Sequence, residues 1–211
     1  RIAHGEAGRL TLGFTAVGAY SMIPRLLVHA GQTLPDIELV LSERVSSTQV
    51  HDLEAGLIDV GLVRQVLPSA RVEYLPIHRE PFVAALPAGH ALAPRERIRP
   101  SDFDKQPFVM YSANEGRYFH DRIANLFARH EVQPKYLHQL GQTHSILGLV
   151  NVGLGCAVVP ASAQALRLEQ VVFRPLVGME QQAEIFLAYC RDNPNPVLGT
   201  FVEMARTFFE A

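Results

Sequence analysis

The chain has 211 residues, enough for one large domain or two small ones. Hydrophobic residues make up 48 % and charged residues 19 %, a balance typical of a folded protein rather than a disordered one. The net charge of −2 argues against a chain that binds nucleic acid or an acidic membrane through its own surface field. Two cysteines, Cys156 and Cys190, do not make a disulfide framework and favour a reducing compartment, the cytoplasm.

The ends and the apolar segments of the chain exclude further classes. No uninterrupted apolar run approaches the roughly 20 residues that a membrane helix needs, so we expect no membrane partner. The start does not resemble a signal peptide. Because the first residue is Arg1 rather than methionine, we expect the chain to be a piece of a longer protein.

The first part of the chain alternates short apolar strands with amphipathic helices. Strands are predicted at residues 10–14, 37–41 and 60–63. Ser21 is a candidate N-cap of the first helix, which stops near Gly31. Ser46 or Ser47 caps the second, which ends at Gly56. This βαβαβ order predicts a parallel sheet.

A second βαβαβ unit follows, with strands at residues 108–111, 136–140 and 156–159. Thr143 is the predicted N-cap of its second helix, which stops at Gly153. Two strands within residues 75–86 lie between the units, and a last helix that starts near Pro196 should return to the first lobe. We therefore predict an α/β protein of two Rossmann-like lobes with a central cleft. Residues 1–84 and 161–211 form lobe one, residues 85–160 form lobe two, and the chain crosses at 82–86 and 158–161.

Ligands of open parallel sheets bind beyond the carboxyl ends of the strands, and several loops there lead into helix N-termini that favour anions. Arg64 could pair with a carboxylate in bidentate fashion. The candidate ligand-binding residues at these ends are Thr15, Ala16, Val17, Ser21, Ser46, Arg64, Tyr118, Phe119 and Thr143. Simpler alternatives stay open: Ser46 as a helix cap, Arg64 as a solvated or surface-paired side chain, and Phe119 as a core residue.

Patterns of catalytic or metal-binding residues are weak. Gly153 and Gly155 follow a helix and enter a strand, the reverse of a dinucleotide fingerprint, so they indicate a turn. The nine histidines include no pair at a usual metal spacing, and Cys156 lies in an apolar strand that favours an inert core thiol. We predict no catalytic residues, no metal and no cofactor.

Five motifs in order resemble the effector-binding domain of LysR-type transcriptional regulators. They are PRLL at 24–27, LPDI at 34–37, LEAGLIDVGL at 53–62, LPAGHAL at 86–92 and LVNVGLGCAVVP at 149–160. The start of the chain, AGRLTLGF at 7–14, is similar to the family's passage from a linker helix into the first strand. The resemblance covers residues 8–209, nearly the whole chain.

The resemblance implies a fold like that of type 2 periplasmic binding proteins. It also implies a missing N-terminal winged helix-turn-helix that binds DNA, and assembly into homodimers or homotetramers. Residue 64 and the segments 111–119 and 159–162 are most similar to regulators of aromatic degradation that respond to benzoate, muconate or chlorinated relatives. In those relatives the positions that match Ser46, Arg64 and Phe119 line the ligand site. A hydroxyl often stands where this chain has Val17, so one contact to a ligand carboxylate is in question.

We interpret the chain as a sensor that binds a small carboxylate effector in the cleft. Closure of the lobes would then change the arrangement of subunits and of their DNA-binding domains. One alternative is the solute-binding protein of a transporter, which can share this fold. Another is an enzyme acting on a small acid, which would need a facing base and nucleophile.

Overall fold

The computed structural model describes residues 7–210, without the side chains at positions 17 and 19. The strands are β1 (Gly8–Phe14), β2 (Ile37–Glu43), β3 (Val60–Val63), β4 (Val72–Glu80), β5 (Phe82–Pro87), β6 (Pro107–Tyr111), β7 (Lys135–Leu140), β8 (Ala157–Pro160), β9 (Val171–Pro175) and β10 (Ala183–Cys190). The helices are α1 (Met22–Thr33), α2 (Ser46–Glu54), α3 (Arg117–Arg129), α4 (Thr143–Asn151) and α5 (Leu198–Glu210). Short 3-10 turns cover Ala16–Tyr20, Pro100–Phe103 and Ala161–Leu166.

The chain folds as two compact units. The first contains the residues up to Arg79 and those from Glu184 onwards, and the second is Glu80–Ala183. The second unit is larger than the predicted lobe two, because residues 80–84 and 161–183 belong to it. Both predicted crossings, 82–86 and 158–161, lie inside this unit, since β5 pairs with β8 and with β9. The chain passes from one unit to the other at residues 79–80 and 183–184 instead.

The first unit is built on a five-stranded sheet in the order β2-β1-β3-β10-β4. Strand β1 is parallel to β2 and to β3, which confirms the first predicted βαβαβ unit, and β10 is antiparallel to β3. The core contains Leu10 and Leu12 of β1, which are fully buried, together with the apolar stripes of α1 and α5. Phe201 of α5 is in this core, so the last helix returns to the first unit, as predicted.

The second unit contains an antiparallel sheet in the order β8-β5-β9 and a parallel pair, β6 and β7. Parallel pairing of β6 and β7 confirms that part of the second predicted βαβαβ unit. Strand β8 pairs mainly with β5, and only an isolated bridge from Phe108 to Cys156 links its start to β6. Phe103, Phe108 and Phe127 fill the core with edge-to-face contacts at centroid distances of 5.2–5.8 Å.

Helix starts differ from the prediction by one residue in two places. Val45 is the N-cap of α2 and Gln142 is the N-cap of α4, so Ser46 and Thr143 are first helical residues and not caps. Ser21 does occupy the N-cap of α1, but its side chain makes no capping hydrogen bond.

Two glycines end helices as predicted. Gly56 (φ +72°) and Gly153 (φ +83°) follow α2 and α4 in the left-handed region that favours glycine. Helix α1 instead passes Gly31 and ends at Thr33, and α5 starts at Leu198. Within residues 7–210, no helix has the length and apolar character needed to cross a bilayer.

Candidate functional site

The loop after β1 places three predicted residues at one end of the first sheet. Thr15 follows the strand, and its carbonyl accepts a hydrogen bond from the Gly18 N–H at 3.0 Å, which starts the 3-10 turn. Ala16 begins this turn, and Ser21 joins it to α1. Thr15, Ala16 and Ser21 are all half-buried. The Val17 side chain lies outside the part of the chain that the structure describes, so its effect on a carboxylate contact stays a prediction.

Ser46 and Arg64 are brought together by a direct hydrogen bond. The backbone N–H of Arg64, one residue past β3, donates to the Ser46 Oγ at 2.9 Å. A hydroxyl that accepts one hydrogen bond still has its own O–H to donate. The bond ties the end of β3 to the start of α2, and the half-buried Ser46 side chain faces the neighbouring strand rather than capping its helix.

The Arg64 side chain is buried, with only 3 % of its surface exposed. Its Nη1 donates to the backbone carbonyl of Glu184 at 3.4 Å, and the Glu184 carboxylate forms an ion pair with Arg79 at 2.9 Å. The alternative of a solvated or surface-paired arginine is therefore wrong. A guanidinium stays charged, and burial strengthens its attraction for an anion because water screens it less.

A second arginine at this edge was not among the sequence candidates. Arg44 follows β2, and its Nη1 lies 2.5 Å from a carboxylate oxygen of Asp52, which is buried on α2. Its Nε donates to the Ser42 Oγ at 2.9 Å. An aspartate between the apolar positions Val50 and Leu53 was the available signal, since a buried carboxylate needs a partner.

The predicted residues of the second unit lie in an aromatic cluster. The Thr143 Oγ1 and the Tyr111 hydroxyl are 2.6 Å apart, and both side chains are about 1 % exposed. Phe119 packs on Tyr111 at a centroid distance of 4.7 Å and meets Phe82 edge-on at 6.1 Å. Phe119 is only 7 % exposed, as its alternative reading as a core residue requires. Its role as a ligand contact stays a prediction.

Tyr118 is covered by an arginine of its own helix. The Arg122 guanidinium carbon lies 3.5 Å from the Tyr118 ring centroid, a cation–π contact, and Arg122 Nη1 donates to the Tyr118 carbonyl at 3.1 Å. The Tyr118 ring also makes an edge-to-face contact with Phe119 at 5.2 Å. The structure thus brings Tyr118, Phe119 and Thr143 into one cluster through Tyr111.

The thiols are buried. Burial raises the pKa of the Cys156 thiol to about 12, and it also raises the pKa of Cys190, whose Sγ donates to the Leu53 carbonyl at 3.3 Å. A protonated thiol is a poor nucleophile, so neither side chain is poised for covalent chemistry. Among residues 7–210, no three histidine, cysteine or acidic side chains are grouped to hold a metal ion.

The second unit also has a basic cavity that the sequence reading did not single out. It has a volume of about 500 Å³ and is lined by Arg95, Arg97, Arg99, Ser101, Asp102 and Val177. Arg95 pairs with Asp102 at 2.6 Å. The alternating arginines of residues 95–99 were the available sequence signal, because an extended segment places every second side chain on one side.

Comparisons with known proteins agree with the motifs. A family model described as "LysR substrate binding domain" matches residues 3–210. The chain is 31 % identical over 208 residues to the HTH-type transcriptional regulator TdfR of Cupriavidus pinatubonensis, covering 97 % of this chain and 69 % of that protein. It is 29 % identical over 190 residues to the uncharacterized HTH-type regulator YnfL of Escherichia coli K12, covering 90 % of this chain and 64 % of the relative.

Solved structures share the fold. The effector-binding domain of BenM with its effector benzoate superposes with a TM-score of 0.84 at 21 % identity, covering 98 % of this chain and 94 % of that one. The effector-binding domain of QuiR in complex with shikimate gives a TM-score of 0.87 at 20 % identity, covering 97 % and 98 %. The predicted α/β fold of effector-binding domains is thereby confirmed.

Proposed function

Because the chain belongs to the LysR substrate-binding domain family, we propose that it binds a small carboxylate effector through the strand ends of its first unit. The resemblance inferred from the five motifs is confirmed by the family match. The chain is an effector-binding domain of this family, which is a sensor rather than an enzyme, and this reading prevails over the transporter alternative.

The observation that carries the proposal is the hydrogen-bonded pair of Ser46 and Arg64. It stands at the carboxyl end of parallel strands, where ligands of such sheets bind. A hydroxyl donor, a buried cation and the N-terminal end of the nine-residue helix α2 all favour an anion. Thr15, Ala16, Val17 and Ser21 belong to the neighbouring strand end and complete the proposed carboxylate site.

The class of effector is inferred from chemistry. Benzoate and shikimate, the molecules named with the BenM and QuiR domains, each carry one carboxylate on a six-membered carbon ring. A ring needs apolar contacts in addition to a carboxylate site. For these contacts the proposal retains Tyr118, Phe119 and Thr143 of the second unit, and it is supported by their shared aromatic cluster.

The remaining proposals concern a longer protein to which this chain would belong. The chain spans 64 % of YnfL and 69 % of TdfR, both described as HTH-type regulators. A full-length CbnR complexed with its target DNA also matches in fold, at a TM-score of 0.83 and 23 % identity. We propose a DNA-binding domain outside this chain, assembly as homodimers or homotetramers, and a cytoplasmic location. DNA contact would be made only through that other domain.

Calorimetric titration with benzoate, muconate, shikimate and chlorinated catechol-derived acids tests the proposal. We expect at least one acid to bind, and Ser46→Ala or Arg64→Ala to weaken that binding by about 1–3 kcal/mol. Ser47→Ala is the matched control, because Ser47 is exposed on the same helix turn. Circular dichroism must show that each variant is folded. A folded wild-type chain that binds none of these acids would refute the proposed effector class, and unchanged affinity in both variants would move the site elsewhere.

A further inference from the structure

A single buried amide lies where three strand ends of the first unit meet. Gln49 of α2 is fully buried, although glutamine side chains are usually exposed. Its Nε2 donates to the Arg44 carbonyl at 3.0 Å and to the Leu62 carbonyl at 3.1 Å. Arg44 follows β2, and Leu62 lies within β3. Both donors of the amide are therefore used to join the ends of two different strands.

The other side of the amide lies against glycines. A Cβ added at Gly61 of β3 would lie 2.6 Å from the Gln49 Oε1. One added at Gly13 of β1 would lie 2.7 Å from the Ile58 Cδ1 and 2.9 Å from the Gln49 Oε1. Neither glycine has a positive φ, so the backbone does not require glycine at these positions. Within the described residues, the Gln49 Oε1 is buried and has no hydrogen-bond partner.

The two residues to which Gln49 donates lie close in sequence to the proposed carboxylate site. Arg44 is two residues before Ser46, and Leu62 is two residues before Arg64. The Arg44 N–H also donates to the Phe14 carbonyl at 2.9 Å, which ties in the end of β1 next to Thr15. A displacement of the Gln49 amide would therefore change the distances between the loops that follow β1, β2 and β3.

We propose that Gln49 is a positioning residue of the effector site, and that position 61 is a glycine because the Gln49 amide needs the space. This inference rests on the proposed function for the location of the site. Gln49 itself does not touch the effector. An apolar side chain of the same length could fill the volume, but it would leave the Arg44 and Leu62 carbonyls without their donor.

The first test needs no ligand and is a double-mutant cycle on unfolding by urea. Gly61→Ala is measured in the wild-type chain and in a Gln49→Ala background, where the Cβ has room. We expect Gly61→Ala to lower the folding equilibrium constant in the wild-type chain by a factor at least ten times larger than in the Gln49→Ala background. Gly199→Ala is the control, since nothing lies within 4 Å of a Cβ there. Additive effects of the two changes would overturn the packing part of the inference.

The second test separates positioning from simple loss of stability. Gln49→Met keeps the length of the side chain and removes both donors, whereas Val50→Ala weakens the packing of the same helix and leaves the amide in place. We expect Gln49→Met to weaken binding of the acid bound by the wild-type chain at least tenfold, and Val50→Ala to change it less than twofold. Hydrogen exchange of the Arg64 N–H, which donates to Ser46, should accelerate more in Gln49→Met than in Val50→Ala at equal loss of stability.

The outcomes distinguish this inference from the one on which it rests. If the wild-type chain binds none of the acids, the proposed function fails and the positioning role fails with it. If the wild-type chain binds an acid and Gln49→Met binds it equally well, or if Val50→Ala lowers the affinity as much, the positioning role is wrong while the proposed function stands.

Discussion

The two units place helix starts and strand ends at similar positions but use them differently. In the first unit, the Ser46 hydroxyl is half-buried and accepts from the backbone of Arg64. In the second, Thr143 is 1 % exposed and its hydroxyl pairs with Tyr111. Both hydroxyl residues open a helix that follows a strand. In both units the strand–helix order places a hydroxyl residue at the edge of a sheet. Whether that hydroxyl is buried depends on the side chains next to it.

The size of the neighbouring side chain explains the difference. Tyr111 ends β6 with a ring that reaches Phe119 and a hydroxyl that reaches Thr143, so the second unit closes its strand end with its own aromatic groups. The first unit has Gly13 and Gly61 near the corresponding ends, and a buried amide lies against them. Its strand ends are connected through side-chain hydrogen bonds to the backbone instead of through ring packing.

The largest expected effect is on the aromatic end. Phe119→Ala should lower the free energy of unfolding by about 3–5 kcal/mol, because it removes a buried ring from contacts with Tyr111, Phe82 and Tyr118. Urea denaturation followed by circular dichroism measures the change. Leu137→Ala is the control, since Leu137 is 49 % exposed on β7. A loss below 1 kcal/mol for Phe119→Ala would contradict the tight packing of this ring among its aromatic neighbours.

The hydroxyl pair of the second unit should have the next largest effect. Tyr111→Phe and Thr143→Val should each cost about 1–2 kcal/mol, since each leaves a buried hydroxyl group without this partner. The double variant should cost less than the sum of the two, because the second change removes a group that has already lost this hydrogen bond. Additive losses in the same urea experiment would show that the two hydroxyls do not depend on each other.

A smaller loss in the free energy of unfolding is expected for the Ser46–Arg64 hydrogen bond of the first unit. Ser46→Ala should cost about 1 kcal/mol, because the Arg64 N–H loses its acceptor at a place where Ser46 is only half-buried. The thermal unfolding midpoint of Ser46→Ala is compared with that of Ser47→Ala, whose side chain is exposed. Equal midpoints for the two variants would show that the hydrogen bond between Ser46 and Arg64 does not stabilise the fold.

The cation–π contact on Tyr118 should contribute about 0.5–1 kcal/mol, since Arg122 is only partly buried. Arg122→Gln keeps a polar chain of intermediate length and removes the charge. Urea denaturation of the variant, with Arg117→Gln on the same helix as the control, measures the loss. A greater loss for the control than for Arg122→Gln would contradict the contact.

The smallest expected effect is on thiol chemistry. With a pKa of about 12, the Cys156 thiol stays protonated throughout the range from pH 7 to pH 9, so iodoacetamide should not label it in the folded chain. Labelling should become fast only in denaturant. Mass spectrometry after labelling at both pH values checks this, and rapid modification of native Cys156 that rises with pH would show an accessible thiolate.

Much of the fold could be predicted because its signals are local. Alternating strands and helices, and the glycines that end α2 and α4, are set by residues close in sequence. The division into units could not be predicted correctly, because it depends on the pairing of β9 with β5, which are far apart in the chain. No local pattern near residues 171–175 indicates which strand they will join.

The candidate site was predictable only in part, for the same reason. Ser46 and Arg64 follow from their places at strand ends and from the family resemblance, but the inward orientation of Thr143 depends on Tyr111, a partner 32 residues away. Gln49 was missed because its bonds run to backbone carbonyls that have no sequence signature. Glycines inside apolar strands, at 13 and 61, were the available signal of a close approach.

The most direct test of a carboxylate site on the first unit is an NMR titration of the 15N-labelled chain with benzoate, and with the other acids if benzoate does not bind. The backbone amide of Arg64 is the key reporter, since it donates to the Ser46 hydroxyl. The predicted result is that the largest shifts occur at Thr15, Ser46 and Arg64 and saturate together. Shifts confined to the basic cavity around Arg97 and Arg99, or to no residues at all, would contradict the proposed site.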